Sequence, residues 1–175
     1  DLWWSNHTKV LAVYRDEFIA KSPVGHRFLE VGPGHGLFIG YAAERGQAST
    51  IEGWDVSQAS IGMTQHSLAK LGVDSGAELR LQDLFEVSTE DRYSSIVFSE
   101  ILEHMDRPER ALKALKAVLA EDGRLFVNMP INSPAIDHLF NLPDTEAFRK
   151  FVTDAGFVIE ADWFFPATNQ SLEMC

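Results

Sequence analysis

Cysteine is almost missing from this 175-residue chain, which holds only Cys175. That excludes an internal disulfide framework and a Cys-rich metal centre, and it fits a reducing, cytoplasmic setting. Long apolar runs are missing too. The stretch through Ile96 to Phe98 falls far short of the ~20 residues a membrane span needs, so no membrane partner is expected. No basic, Ser-rich or apolar leader pattern opens the sequence, and nothing in it marks the chain for export. Positive charge is scarce: 15 Lys and Arg stand against 26 Asp and Glu, for a formal net charge of −11. A phosphate backbone would be repelled at long range. Arg110, Lys113 and Lys116 share one predicted helix with Glu109 and flanking Glu121, the pattern of a solvated face. Nucleic acid is therefore a disfavoured partner. Hydrophobic residues at 45% and charged residues at 23% describe an ordinary globular domain with one sizeable core.

Hydrophobic periodicity alternates between strand-like and helix-like stretches. Val10, Leu11, Val13, Tyr14, Phe18 and Ile19 form a helical stripe over residues 8–20. Strands are expected at 26–31, 49–54, 78–81, 94–99 and 124–129, with a sixth at 157–165. Helices are expected at 37–45, 57–71 and 107–120, the last opened by Pro108 and closed by Asp122-Gly123. A final helix is capped by Asp144 and ended at Gly156. This order predicts a doubly wound α/β fold, a mostly parallel sheet covered by helices on both faces. Residues 1–25 read as an N-terminal helical cap and 26–175 as the main domain. After Phe165 only PATNQSLEMC follows, so of the antiparallel hairpin that often ends such a sheet either the last strand is absent or a segment is left out of the sequence.

The first strand runs into Glu30-Val31-Gly32-Pro33-Gly34-His35-Gly36. Glycines there let the chain turn sharply and let a ligand approach the backbone, at the strand ends where open α/β sheets bind ligands. A dinucleotide fingerprint is G-x-G-x-x-G. Here the spacing is G-x-G-x-G with a carboxylate just before it, which would repel a pyrophosphate but can orient a cationic amino acid moiety. Asp55 ends the second strand, Asp83 follows the third, and SEILEH follows the fourth.

That set, over roughly residues 27–165, resembles the class I S-adenosylmethionine-dependent methyltransferases. The resemblance implies the Rossmann-like fold of that family. It also implies a cofactor site built from Glu30, Gly32, Gly34 and Gly36 at the methionine end, with Asp55 and Val56 at the ribose, Asp83 and Leu84 at the adenine, and Ser99 nearby. A carboxylate suits the ribose position because it accepts from two vicinal hydroxyls at once.

Glu100, Glu103 and His104 fall within one helical turn, where positions three apart share a face. Together with His138 from the loop after the fifth strand they can hold Mg²⁺ or another divalent ion. The E-x-x-E-H pattern is similar to the ubiquinone-pathway O-methyltransferases and to enzymes that methylate the terminal 2′-hydroxyl of small RNAs. In both, the cation binds the acceptor oxygen and eases its deprotonation. Without metal, Glu100, His104 and His138 are the candidate catalytic groups, as bases or orienting residues. His26 reads as a surface residue, His66 as exposed, and His35 as a loop residue whose backbone matters more than its ring. Two adjacent tryptophans, Trp3 and Trp4, need burial, either against the domain edge or a second subunit or, as the family resemblance implies, in a lid with Trp3 or Trp4 near the crevice mouth on the side of His138.

The expected activity is methyl transfer to a small-molecule acceptor, foremost at oxygen, by a monomer or homodimer. A non-catalytic cofactor-binding module is the competing class. An RNA 2′-O-methyltransferase and an oxidoreductase are weaker alternatives.

Overall fold

Short runs rich in β-branched and aromatic residues, separated by glycine-closed helices, fold into one parallel sheet. The computed structural model describes the backbone of residues 2–87, 90–166 and 173–174, and the side chains of 7–87 and 90–165. The strands are β1 (Arg27–Val31), β2 (Thr50–Asp55), β3 (Glu78–Leu81), β4 (Tyr93–Ser99) and β5 (Leu119–Asn128), in the order β3-β2-β1-β4-β5. Every neighbouring pair is parallel. The central strands β1, β2 and β4 are buried over most of their length, whereas β3 at the edge is largely exposed. That is the pattern of a sheet covered on both faces.

Five helices provide the cover: α1 (Leu2–Val13), α2 (Leu37–Arg45), α3 (Gln58–Leu71), α4 (Pro108–Val118) and α5 (Thr145–Asp154). Alternation along the strands divides the core in two. Phe28, Val97 and Phe126 pack with Val10, Tyr14 and Phe18 of the N-terminal helical segment and with Ile39 and Leu68 of α2 and α3. Leu29, Ile96 and Phe98 pack with Leu112 and Leu115 of α4 and with Phe148 and Val152 of α5. The N-terminal helical segment continues through a π-turn at Tyr14–Phe18 and a 3-10 turn at Ile19–Lys21. Tyr14 and Ile19 there are fully buried, and the Tyr14 hydroxyl donates to the Phe38 carbonyl at 2.9 Å.

Three local expectations are corrected. Helix α4 ends at Val118, because Leu119 is already extended and pairs with Tyr93 at the start of β5. Asp122-Gly123 thus lies inside the strand, where the register shifts between Tyr93 and Ser95. A Cβ on Gly123 would lie 2.9 Å from the Tyr93 carbonyl oxygen, so close backbone approach explains that glycine. The sixth strand is not formed over 157–164. Its alternation is met instead by docking: Phe157 and Ile159 pack on the α4–α5 core while Val158 is 89% exposed. Glu160 and Asp162 reach Arg124 and Arg149 at 2.9 and 2.6 Å. Only Phe165–Pro166 (β7) pairs, in a small antiparallel sheet with β6 (Pro130–Ile131) and β8 (Glu173–Met174). His26, finally, is not a surface residue. It is buried, with Nδ1 2.6 Å from the Pro23 carbonyl, and burial lowers its pKa.

No helix among the described residues is long and apolar enough to cross a membrane. The side chains of Trp3 and Trp4, and so the expectation of a tryptophan lid, lie outside the described residues.

Candidate active site

Strand order reverses between β1 and β4, the kind of switch point at which open α/β sheets bind ligands. The glycine turn and the SEILEH segment leave the carboxyl ends of these two strands. They touch: a Cβ on Gly32 would collide with the Ile101 side chain. Gly32, Gly34 and Gly36 have φ of 70°, 50° and 76°, a region L-residues enter at a cost of roughly 1–2 kcal/mol. The loop is pinned by the Gly32 N–H donating to the Trp54 carbonyl at 2.7 Å and by the Thr64 hydroxyl donating to the Gly34 carbonyl at 2.8 Å.

Glu30 lies beneath this loop rather than at its rim. It is 2% exposed, and Oε2 accepts the Ile39 N–H at 2.7 Å. Burial pushes its carboxyl up to about 8, with the Ile39 hydrogen bond working the other way. Its direct contact is therefore with the first turn of α2, which it fastens to β1.

Asp55 closes β2 and Asp83 lies two residues beyond β3. Asp55 Oδ1 accepts the Ser57 N–H at 2.8 Å, and Asp83 Oδ1 accepts the Phe85 N–H at 2.8 Å. Each carboxylate thereby shapes its own turn with one oxygen. Val56 beside Asp55 is 70% exposed, whereas Leu84 is buried; Ser99, at the end of β4, is partly buried.

After β4 the chain does not continue as one helix. Glu100 has φ 55°, and only Leu102–His104 makes a 3-10 turn. The left-handed kink separates the two carboxylates. Glu100 swings back to β5, where its Oε1 accepts from Asn128 Nδ2 at 2.5 Å, and its Oε2 lies 3.8 Å from His7 Nε2. Burial, then the neighbouring Glu103, push the Glu100 carboxyl up to about 8.

Glu103, His104 and His138 do converge, with ligand atoms within 4.8 Å of one another. Glu100 is not in that group. Glu103 is 1% exposed, its Oε2 has no hydrogen-bond partner, and burial raises its pKa. His104 Nδ1 lies 3.0 Å from the Asp137 carbonyl and His138 Nδ1 2.6 Å from the Ser133 carbonyl. A carbonyl only accepts, so both rings carry their proton on Nδ1 and present the Nε2 lone pair. The 132–143 loop is held in place by Leu139 and Phe140, whose N–H groups donate to the Glu103 carbonyl at 2.7 and 3.0 Å.

Two residues of this arrangement escaped the sequence reading, His7 and Asn128. Asn128 had a signal: it is the polar residue ending RLFVN, in register with Ser99 of β4.

A parallel sheet with this strand order, a glycine turn at the switch point and acids closing the next two strands define a class I methyltransferase fold. The chain belongs to the methyltransferase domain family, whose model matches residues 3–161. It is 27% identical over 135 residues to (S)-coclaurine N-methyltransferase of Thalictrum flavum subsp. glaucum, covering 77% of this chain and 37% of that protein. It is 24% identical over 141 residues to the ubiquinone biosynthesis O-methyltransferase of Aeromonas salmonicida (strain A449), covering 75% of this chain and 58% of that one. The chain thus spans well under two thirds of the length of these relatives. Among solved structures, magnesium protoporphyrin IX methyltransferase of Synechocystis PCC 6803 with bound SAH shares the fold. Its TM-score is 0.72 at 18% identity, over 98% of this chain and 80% of that one.

Proposed function

We propose that the crevice binds S-adenosylmethionine and that the chain transfers its methyl group to a small-molecule acceptor. The observation that carries this is the pair Asp55 and Asp83, each with one oxygen committed to its turn and the other given, in this reading, to a ligand. In this reading the methionine end lies at the glycine turn, the ribose at Asp55 and the adenine at Asp83. Glu30 serves the cofactor through the backbone it braces. The acceptor enters on the side of Glu100, Glu103, His104 and His138. Holding acceptor and methyl carbon in line supplies most of the rate enhancement open to such a site. The Nε2 lone pairs of His104 and His138, or a Glu100 carboxylate, take the acceptor proton. Relatives whose names state N- and O-methyl transfer both align with this segment, and a hydroxyl or an amine fits the same groups. Calorimetric titration with S-adenosylmethionine, its demethylated product and NAD tests the reading. Micromolar binding of the first two and none of NAD is expected; binding of NAD alone would overturn it. Cofactor binding without turnover on any acceptor would instead favour a non-catalytic module.

A metal-assisted form of the reaction is supported by the Glu103–His104–His138 cluster. Each His donates Nδ1–H to a backbone carbonyl and frees Nε2, the arrangement that orients metal-bound imidazoles. Two imidazoles and one carboxylate suit Mn²⁺, Fe²⁺ or Zn²⁺ better than Mg²⁺, which prefers oxygen. Bound there, the ion would act as a Lewis acid toward an acceptor oxygen. Thermal denaturation with added Mn²⁺ or Zn²⁺ checks this without turnover. Stabilisation reversed by chelator and lost in His138→Ala is expected, and equal melting with and without metal would leave the histidines as bases.

A further inference from the structure

Strand β2 reads Thr50-Ile51-Glu52-Gly53-Trp54-Asp55, which sets a carboxylate between buried positions of a central strand. Glu52 is 4% exposed, and an acid there is costly unless cations and donors meet it. They do. Arg27 of β1 lies 3.5 Å from Oε1 and Arg80 of β3 lies 3.2 Å from Oε2. The Trp54 indole N–H donates to Oε2 at 3.3 Å. Each guanidinium has a second acid: Asp91, ahead of β4, at 2.8 Å from Arg27, and Glu78 at 2.9 Å from Arg80. The Arg27 guanidinium also lies over the Tyr93 ring, 5.2 Å from its centre, and Tyr93 meets the Trp54 indole edge-on at 5.5 Å.

We propose that Glu52 is a positioning residue for the cofactor site: clamped between Arg27 and Arg80, it fixes the Trp54 indole, and through Trp54 the glycine turn and Asp55. The connection is short. The Trp54 carbonyl accepts the Gly32 N–H at 2.7 Å, the bond that pins the turn leaving β1. The next residue is Asp55, whose carbonyl accepts the Gln82 N–H at 2.9 Å, beside Asp83. Arg27, Glu52 and Arg80 stand three residues ahead of Glu30, Asp55 and Asp83 respectively. One carboxylate thus ties together, beneath the site, the three adjacent strands that deliver the site's groups above it. A buried ion cluster adds little net stability over apolar side chains of similar volume. Its consequence here is placement, of the three strands and of the indole that joins two of their ends.

The inference rests on the cofactor reading for what the site binds, and one arm of its test needs no cofactor. Exchange of the Gly32 amide hydrogen reports whether the Trp54 carbonyl is held, and calorimetry with the demethylated cofactor reports the consequence. Both are measured, beside melting temperatures, in wild type, Glu52→Gln and the triple variant Arg27→Met/Glu52→Leu/Arg80→Met. Glu52→Gln keeps an oxygen for the indole N–H and gives up the charge. It should melt lower, while Gly32 exchange and cofactor affinity stay within about twofold of wild type. The triple variant removes the acceptor and both cations together, and should melt within a few degrees of wild type. Its Gly32 exchange and its dissociation constant for the cofactor should each rise roughly tenfold, the scale of one lost hydrogen bond. Exchange and affinity that simply follow melting temperature across the three proteins would overturn the positioning role and leave a structural ion cluster. If the wild type binds neither S-adenosylmethionine nor its demethylated product, the cofactor reading fails, and Gly32 exchange decides the clamp alone. A rise confined to the triple variant would support it, and no rise there would overturn it.

Discussion

Asp55 offers the sharpest test of the cofactor reading, because its two oxygens do different work. Oδ1 accepts the Ser57 N–H at 2.8 Å and shapes the turn into α3, whose N-cap is Ser57. Oδ2 is the oxygen that the cofactor reading gives to the ribose. Asp55→Ala removes both. A charge-assisted hydrogen bond to the cofactor is worth about 2 kcal/mol, so the dissociation constant of the demethylated cofactor should rise ~30-fold. The lost turn should separately cost ~1 kcal/mol of stability. Asp55→Asn separates the two effects. It keeps an oxygen for Ser57 and replaces only the charged acceptor by an amide, which a hydroxyl can still meet by accepting. Its melting temperature should match the wild type while affinity falls about fivefold, close to 1 kcal/mol. Isothermal titration calorimetry and thermal melts on the three proteins give both numbers. Wild-type affinity in Asp55→Ala, with a lowered melting temperature, would refute the reasoning. Asp55 would then be a turn residue and no more.

Glu30 supplies a pH signature. Its folded pKa, about 8, lies above the ordinary 4.5, so the folded state holds a proton that the unfolded chain releases. The stability this contributes is complete below pH 4.5 and is lost as the pH rises to 8, at ~1.4 kcal/mol per unit and up to ~5 kcal/mol in all. Glu30→Gln, which keeps the acceptor for the Ile39 N–H, should flatten that decline in denaturant unfolding between pH 5 and 8.5; an unchanged slope would show that Glu30 is ionised in the fold. His26 works in the opposite sense. Its pKa is lowered by burial, so its contribution is present above 6.5 and lost as the pH falls through the folded value. His26→Gln should reduce the loss of melting temperature on acidification, and an identical acid limb would count against a buried neutral imidazole. At Gly32, an alanine meets both a positive φ and the Ile101 side chain. Gly32→Ala should lose about 1–2 kcal/mol of stability together with measurable cofactor binding. Unaltered melting would mean that the turn relaxes at no cost.

Alternation of period two and stripes of period 3.6 make the five parallel strands and their helices legible in the sequence itself. So does the order of Glu30, the glycines, Asp55 and Asp83, because each lies within a few residues of a strand end and local geometry carries it there. Local pattern was not enough where two requirements competed. Residues 157–165 alternate like a strand, yet packing on α5 together with pairs to Arg124 and Arg149 satisfies them without a ladder. Leu119 fits a helix by pattern but is taken by Tyr93. The acid-rich segment shows the same division most clearly. Spacing alone puts Glu100 and Glu103 on one face, but a backbone kink at Glu100, whose carboxyl accepts from Asn128 of a strand distant in the sequence, sends them apart. Sequence by itself determined which groups stand at the sheet's carboxyl edge, since strand ends are local. Tertiary structure decided which of them meet, since that depends on contacts between residues distant in the chain.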